Sequence, residues 1–164
     1  MLHSRRRPGS TLTFCLLLLF FPGYALKAAG PERIVSTNKD QQRIQDIVDA
    51  FVARLPLKQR VSVSVVPKNP LMFSVEFDKA DVGTDFRLSV QEDFIGELTQ
   101  EELEAAVAHE LGHVWIFTHH PFLQTEALAN EIAQRLVPRS NLLQVYEKVW
   151  QRQGTRGDLR YMGD

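Results

Sequence analysis

The chain has 164 residues and a formal net charge of −1 at pH 7, which fits one globular domain with or without a processed leader. This balanced charge gives no indication of a nucleic-acid-binding surface. The single cysteine, Cys15, lies in the N-terminal segment. The rest of the chain therefore has no disulfide, no thiol nucleophile and no sulfur ligand for a metal.

The first 25 residues have the pattern of a secretory signal peptide. A basic segment, Arg5–Arg7, is followed by an apolar run, Leu12–Phe21, and by small residues up to Ala25. We expect cleavage after Ala25 or a few residues later, with export of the mature domain to the periplasm or the medium. The alternative is an uncleaved anchor, but the apolar run is shorter than the roughly 20 residues of a membrane-spanning helix. Cleavage removes three arginines from a net charge of −1 and leaves −4.

The first predicted elements are a helix and three strands. Residues 26–37 are expected to form a polar linker ahead of a folded domain at 38–153. Apolar residues at helical spacing then predict an amphipathic helix that ends before Pro56. They are Ile44, Ile47, Val48, Phe51, Val52 and Leu55. The segments RVSVSVVP, LMFSVEF and FRLSVQ predict strands, and the turn-rich DKADVGTD connects the second strand to the third.

The pattern from Thr99 onward is helical. Thr99 and Glu102 form a capping box that begins the first of three helices. Its apolar stripe consists of Leu103, Val107, Leu111 and Val114. A second helix is predicted from about 123 to 137 and a third from about 141 to 150, ahead of a tail at 154–164. This order predicts an α+β fold with a small, mainly antiparallel sheet.

Four of the five histidines fall within one segment, AVAHELGHVWIFTHHPFLQTEALANEI. His109 and His113 are four residues apart, so they share one side of the helix, away from its apolar stripe. Two neutral imidazoles at this spacing can reach one Zn²⁺ at about 2.0–2.1 Å. Glu110 is placed to act as the general base for a water on that zinc. Gly112 keeps the helix surface low between the two ligands.

A catalytic zinc needs a third protein ligand and one open position. Pro121 breaks the first helix, and the next helix carries Glu126 in its first turn with Asn130 four residues later. We expect Glu126 to complete a site for one zinc per chain. Asn130 can orient a histidine ligand by a hydrogen bond to its far ring nitrogen.

Three other residues near this segment are weaker candidates. His119 and His120 lie beside Pro121 and are expected in the turn rather than as ligands. Tyr146 is expected mainly in packing. All three are retained as candidate hydrogen-bond donors to a transition state.

The segment LTQEELEAAVAHELGHV resembles the zinc helix of the gluzincin metallopeptidases, in particular the HtpX-like and CAAX-prenyl-protease-like family. EALANEIAQRLVPRSNLLQVYEKV is similar to that family's E-x-x-A-D segment and following helix. VSVSVV and FRLSVQEDFIGEL resemble its strand and the edge strand ahead of the zinc helix. The resemblance covers about Ile44 to Val149. Asn130 stands where that family usually has aspartate, and the interval between His113 and Glu126 is shorter than usual. In both features the segment resembles that of the ImmA/IrrE-type peptidases.

The resemblance implies a minimal zincin-like domain in which His109, His113 and Glu126 bind zinc and Glu110 is the general base. We therefore expect a zinc metalloendopeptidase that acts on peptides or proteins, with the peptide along an edge strand at Phe86–Gln91. No stable membrane span is expected after signal cleavage, and the oligomeric state stays open. The alternative is a zinc-binding assembly or chaperone-like module with little or no hydrolysis. A helical interaction domain without metal is a third reading, but it requires the histidine and glutamate spacing to be a coincidence.

Overall fold

A computed structural model of the chain describes residues 31–78, 85–157 and 160, with side chains from residue 38 onward. The expected signal peptide at 1–25 and most of the turn between the second and third strands lie outside the described residues. The α+β class is confirmed, since the described residues form five helices and one three-stranded sheet. In chain order these are α1 (Pro31–Arg54), β1 (Val61–Val66), β2 (Phe73–Phe77), β3 (Phe86–Gln91), α2 (Glu92–Ile95), α3 (Gln100–His119), α4 (Glu126–Ala133) and α5 (Arg139–Gln153).

Several helix boundaries differ from the predicted ones. Helix α1 begins at Pro31, so residues 31–37 are helical rather than a linker; proline is favoured in the first helical turn because its missing N–H needs no partner there. Helix α4 is shorter than predicted at both ends. It begins after Thr125, whose hydroxyl accepts the backbone N–H of Leu128 at 3.2 Å, and it ends at Ala133. Helix α5 continues to Gln153 and ends at Gly154, which has a left-handed conformation (φ 64°).

The strand order is β1-β3-β2, with β3 parallel to β1 and antiparallel to β2. The sheet is therefore mixed rather than mainly antiparallel, and the expected edge strand, Phe86–Gln91, is the central strand. Its three inward residues, Phe86, Leu88 and Val90, are each at most 4% exposed. The central position explains this burial, since both neighbouring strands and the helices cover that strand.

The two edges of the sheet differ in what lies against them. On β1, the side-chain amide of Gln45 from α1 donates to the carbonyl of Val61 and accepts from the N–H of Val63, both at 2.9 Å. This amide occupies the positions that a further strand would use. The other edge, β2, lies beside α3.

The core lies between the sheet and the helices α1, α3, α4 and α5. Its fully buried residues include Ile44, Val48, Leu88, Leu103 and Leu111. Within the described part of the chain, none of the helices combines the length and apolar character needed to cross a membrane.

Candidate metal centre

Helix α3 carries the two histidines, and its start is held by the predicted capping box. The hydroxyl of Thr99 accepts the N–H of Glu102 at 3.3 Å, and the carboxylate of Glu102 accepts the N–H of Thr99 at 2.7 Å. Glu102 also pairs with Lys148 of α5 at 2.6 Å. These contacts fix the beginning of α3 against α5, and with it the direction in which the histidine side extends.

Helix α4 reaches the histidines because it crosses α3 at a glycine. A β-carbon added to Gly112 would lie 2.5 Å from the carbonyl oxygen of Ala129 and 3.0 Å from its α-carbon. The two helices thus approach at backbone contact between His109 and His113. This close approach brings Glu126, one turn before Ala129, beside both imidazoles.

The three predicted ligands meet. The Nε2 atoms of His109 and His113 are 3.2 Å apart, and the carboxylate oxygens of Glu126 lie 3.2 Å and 3.5 Å from them respectively. Four-coordinate zinc with bonds of about 2.0–2.1 Å places its ligand atoms roughly 3.3–3.4 Å apart. The two imidazole nitrogens match that spacing, and Glu126 faces the two rings with different oxygens, Oε2 toward His109 and Oε1 toward His113. The donor set of two imidazoles and one carboxylate fits zinc.

Each imidazole is oriented by a side-chain amide on its far nitrogen. His109 Nδ1 lies 2.8 Å from Asn130 Oδ1, and His113 Nδ1 lies 3.3 Å from Gln124 Oε1. An amide oxygen accepts only, so both rings donate from Nδ1, and in the neutral rings both Nε2 atoms carry lone pairs. Two such lone pairs face each other and a carboxylate, an arrangement that attracts a cation.

Asn130 also links the site to Tyr146 of α5. The Asn130 Nδ2 donates to the Tyr146 hydroxyl at 3.1 Å, and this hydroxyl donates to Glu126 Oε2 at 3.3 Å. The Tyr146 ring contacts His109 edge to face, with centroids 5.7 Å apart. Burial, with smaller effects of the Glu126 and Glu110 charges, raises the pKa of Tyr146, so its hydroxyl stays protonated and remains a donor. Tyr146 therefore contacts a proposed ligand directly.

The pKa values of Glu126 and His113 reflect this concentration of charge. Hydrogen bonds from His109 and His113 hold the pKa of Glu126 well below its usual range. Burial opposes the charged form of His113, but its bond to Glu126 and the charges of Glu110 and Glu126 outweigh burial and raise its pKa. In the metal-free chain the negative charges of Glu126 and Glu110 thus stabilise a proton on His113. The same charges would stabilise a divalent cation at this position.

Glu110 lies on the side of α3 that faces the sheet. Burial raises the pKa of Glu110, with a further contribution from the Glu126 charge, and the two histidines oppose this rise. The backbone N–H of Val75 in β2 faces this carboxylate and also opposes the rise. The predicted base therefore lies between the three ligands and the edge of the sheet.

The structure places His119 and His120 away from this centre. His119 is the last residue of α3 and its ring stacks on Trp115, with centroids 4.3 Å apart; the ring of His120, the C-terminal cap, also contacts Trp115. Trp115 is two positions from His113 and so points to another side of the helix. His119 is therefore helical rather than part of the expected turn, and His120 is where the turn begins.

Gln124, Val75 and the contacts of Tyr146 are not predicted by sequence reasoning. A glutamine two residues before Glu126 is the available signal for Gln124, since an amide oxygen can accept from the ring N–H of a histidine ligand. The contacts of Val75 and Tyr146 join segments far apart in the chain and leave no local signal.

A search against protein families, curated proteins and solved structures finds no match for the chain.

Proposed function

We propose that the chain is an exported zinc-dependent metallopeptidase that hydrolyses peptide bonds. The observation that carries this proposal is the cluster of two imidazole lone pairs and one carboxylate, 3.2–3.5 Å apart, with a further carboxylate, Glu110, beside it. A purely structural zinc site is normally closed by four protein ligands. Among the described residues three are gathered, which favours an open position for substrate chemistry.

Bound zinc would supply Lewis-acid polarisation of a carbonyl and would lower the pKa of a water molecule. Glu110 would accept the proton of that attacking water and return it to the leaving amine. A raised pKa suits this exchange, because a base whose pKa lies nearer to the working pH both accepts and returns a proton readily. Tyr146 and Asn130 would keep the ligands oriented during this exchange.

The peptide would lie along β2, in place of the strand expected from the sequence. Two backbone hydrogen bonds join β2 to β3 at its ends. They run from Asp78 N–H to the carbonyl of Asp85 and from Gln91 N–H to the carbonyl of Met72. The backbone N–H and C=O groups of the even-numbered residues of β2 therefore point toward β3. In an antiparallel pair those of the alternate residues then point to the other edge, with which no strand pairs within the described part of the chain, and the Val75 N–H there faces Glu110. An extended peptide would pair with the remaining backbone groups of this edge and pass beside Glu110.

The test is the pair of variants Glu110→Gln and Glu131→Gln, purified with zinc and compared with the parent. Glu131 is an exposed carboxylate of α4 and serves as the matched control. We expect both variants to bind one zinc per chain, since neither changes a ligand. Glu110→Gln should reduce hydrolysis of a broad peptide library by about 10²–10⁴-fold, and Glu131→Gln should leave it unchanged.

Two results would contradict the proposal. One is a parent protein that holds one zinc and cleaves nothing in the library. The other is a Glu110→Gln variant that loses only a few-fold in rate. Either result would support the zinc-binding assembly or chaperone-like module instead.

A further inference from the structure

Two half-exposed phenylalanines, Phe77 and Phe117, are in contact at the surface. Phe77 ends β2 and is 50% exposed, and Phe117, on α3, is 47% exposed. Their rings stack with centroids 6.3 Å apart and an interplanar angle of 26°. Both pack edge to face on the buried Phe86, at 5.7 Å and 5.5 Å. Scattered exposed apolar residues are ordinary, whereas an ordered aromatic pair fixed by a buried third ring is a formed surface.

This aromatic pair borders the metal centre from two elements. Phe117 lies four residues after His113 and so one turn further along the same side of α3. Phe77 lies two residues after Val75, on the same face of β2. Glu110 contacts Val75, and Phe117 contacts Phe77, so α3 and β2 run side by side in the same direction.

The backbone of Phe77 points to the same edge as that of Val75, because both are odd-numbered residues of the same ladder, and no strand among the described residues pairs with that edge. The distance along β2 from Val75 to Phe77 is about 7 Å, the spacing of two residues in an extended chain. A peptide paired with this edge and passing Glu110 would therefore place a side chain near Phe77 within about two residues of the cleaved bond. On the helix side of the sheet, that side chain would meet the aromatic pair.

We propose that the aromatic pair binds a large apolar side chain of the substrate, so that the enzyme prefers peptides with phenylalanine, leucine or methionine close to the scissile bond. The inference rests on the proposed peptidase function and adds the substrate class to it. We assign this surface to the substrate because Phe77 lies further along the β2 edge that faces Glu110. Phe117 lies one turn further along the side of α3 that carries His113. The two rings lose water contact when such a side chain covers them, which favours binding.

The experiment measures cleavage of matched peptides by the full-length zinc-loaded protein. One peptide series carries Phe, Leu, Ala, Gly, Asp or Lys at each position around the cleaved bond. For the parent we expect one position at which Phe or Leu raises kcat/KM about 10–100-fold over Gly, the range expected for burial of a large apolar side chain.

The variants are Phe117→Leu, Phe117→Arg and Phe77→Ala, and the control is Phe122→Ala, which removes a 95% exposed ring. Phe117→Leu keeps an apolar contact with Phe86 and should shift the preference from Phe toward smaller aliphatic residues. Phe117→Arg should lower kcat/KM for the Phe peptide at least 10-fold and raise it for the Asp peptide. Phe77→Ala should reduce the preference, and the control should leave it unchanged. Zinc content and Tm, measured for every variant, identify any variant that has lost its fold.

If Phe77→Ala does not fold, the two Phe117 variants still test the inference. A loss of stability can lower all rates, but it cannot change the preferred peptide from Phe to Asp. A parent that cleaves the library without any apolar preference overturns the inference and leaves the peptidase proposal standing. The same holds if the preference is unchanged in folded Phe117 variants. If those variants change the oligomeric state but not the preference, the pair is a contact between copies of the chain. A parent that cleaves nothing refutes the peptidase proposal itself.

Discussion

At the residue scale, Asn130 has the most demanding position in the candidate site. It is fully buried, and its amide accepts from His109 Nδ1 and donates to the Tyr146 hydroxyl. Such a residue restricts the rotation of a ligand ring, so the ring need not be ordered when the metal binds. The predicted hydrogen bond between Asn130 and the far nitrogen of a histidine is present, and that histidine is His109.

We predict that Asn130→Ala weakens zinc affinity by about 10–100-fold, the usual effect of losing such an orienting bond. Asn130→Asp keeps an acceptor for His109 and should stay within several-fold of the parent. Competition with a chromogenic chelator measures both affinities. An alanine variant that binds zinc like the parent would mean that His109 is oriented by packing alone.

Tyr146 contributes a second orienting bond, this time on the carboxylate ligand. Tyr146→Phe keeps the ring that contacts His109 but removes the hydroxyl that donates to Glu126 at 3.3 Å. We expect zinc affinity to fall roughly 10-fold, and the Tm of the zinc-free protein to fall as well, because the buried Asn130 Nδ2 loses this acceptor. Isothermal titration with zinc and thermal unfolding in chelator measure the two quantities. An unchanged affinity would leave Tyr146 a packing residue, the role that the sequence pattern favours.

At the element scale, the contact between α3 and α4 depends on the absence of a side chain at Gly112. In a helix interior, replacing glycine by alanine normally stabilises the helix by up to about 1 kcal/mol. At Gly112 the added carbon would meet the Ala129 backbone, which cannot move without moving α4. The sequence shows that Gly112 leaves space on α3 between the two histidines. It does not show that the backbone of Ala129 on α4 fills that space.

We predict that Gly112→Ala destabilises the fold by about 1–3 kcal/mol, as overpacking does, and weakens zinc binding by displacing Glu126. The matched control is Gly96→Ala, because a carbon added there would lie 3.7 Å from its nearest neighbour, the Asp93 carbonyl oxygen. Denaturant unfolding and zinc titration of the two variants provide the comparison. Equal stability of both would show that α4 can shift without loss.

The start of α3 gives a prediction for pH. Burial opposes the charge of Glu102, but Lys148 and the Thr99 backbone outweigh it and lower the pKa of this carboxyl from its ordinary value of 4.5. A depressed pKa in the folded state stabilises the fold above pH 4.5, and this contribution is lost as the pH falls through the folded-state pKa.

Glu102→Gln should therefore lower the free energy of unfolding by about 1–3 kcal/mol at pH 7, and the deficit should shrink below about pH 4.5. Glu101→Gln, in the same helical turn but exposed, is the control and should show little change at any pH. Denaturant unfolding at several pH values tests this. A deficit for Glu102→Gln that does not depend on pH would mean that shape rather than charge matters at this position.

At the scale of the whole molecule, the candidate site joins two helices of the domain, with two ligands on α3 and one on α4. A metal that binds only the folded chain stabilises it according to its concentration and affinity. Free zinc at 100-fold over its Kd should add about 2.7 kcal/mol, which raises the Tm by roughly 5–10 °C for a chain of this length.

His113→Ala should remove this zinc-dependent rise, and His119→Ala, which changes a histidine on the same helix that stacks on Trp115, should keep it. Thermal unfolding with zinc and with chelator, alongside metal analysis, gives both answers. A full rise in His113→Ala would locate the zinc elsewhere in the protein.

The sequence by itself determined those features that depend on neighbours along the chain. The capping box at Thr99, the shared side of His109 and His113, and the approximate limits of the strands follow from local spacing and local hydrogen bonds. The placement of Glu126 and Asn130 one turn apart is equally local. Local spacing therefore predicts the candidate ligands, whereas the crossing of α3 and α4 at Gly112 brings Glu126 to the histidines.

The tertiary structure alone decided which strand is central and what faces each sheet edge. Backbone hydrogen bonds do not distinguish one strand from another, so alternating apolar residues identify three strands but not the order β1-β3-β2. Packing then set the bonds of Gln45 to β1 and of Tyr146 to Glu126, and it brought Val75 to Glu110. Each of these contacts joins residues at least 16 positions apart, and such pairs meet only when burial of the common core has fixed the arrangement of the helices around the sheet.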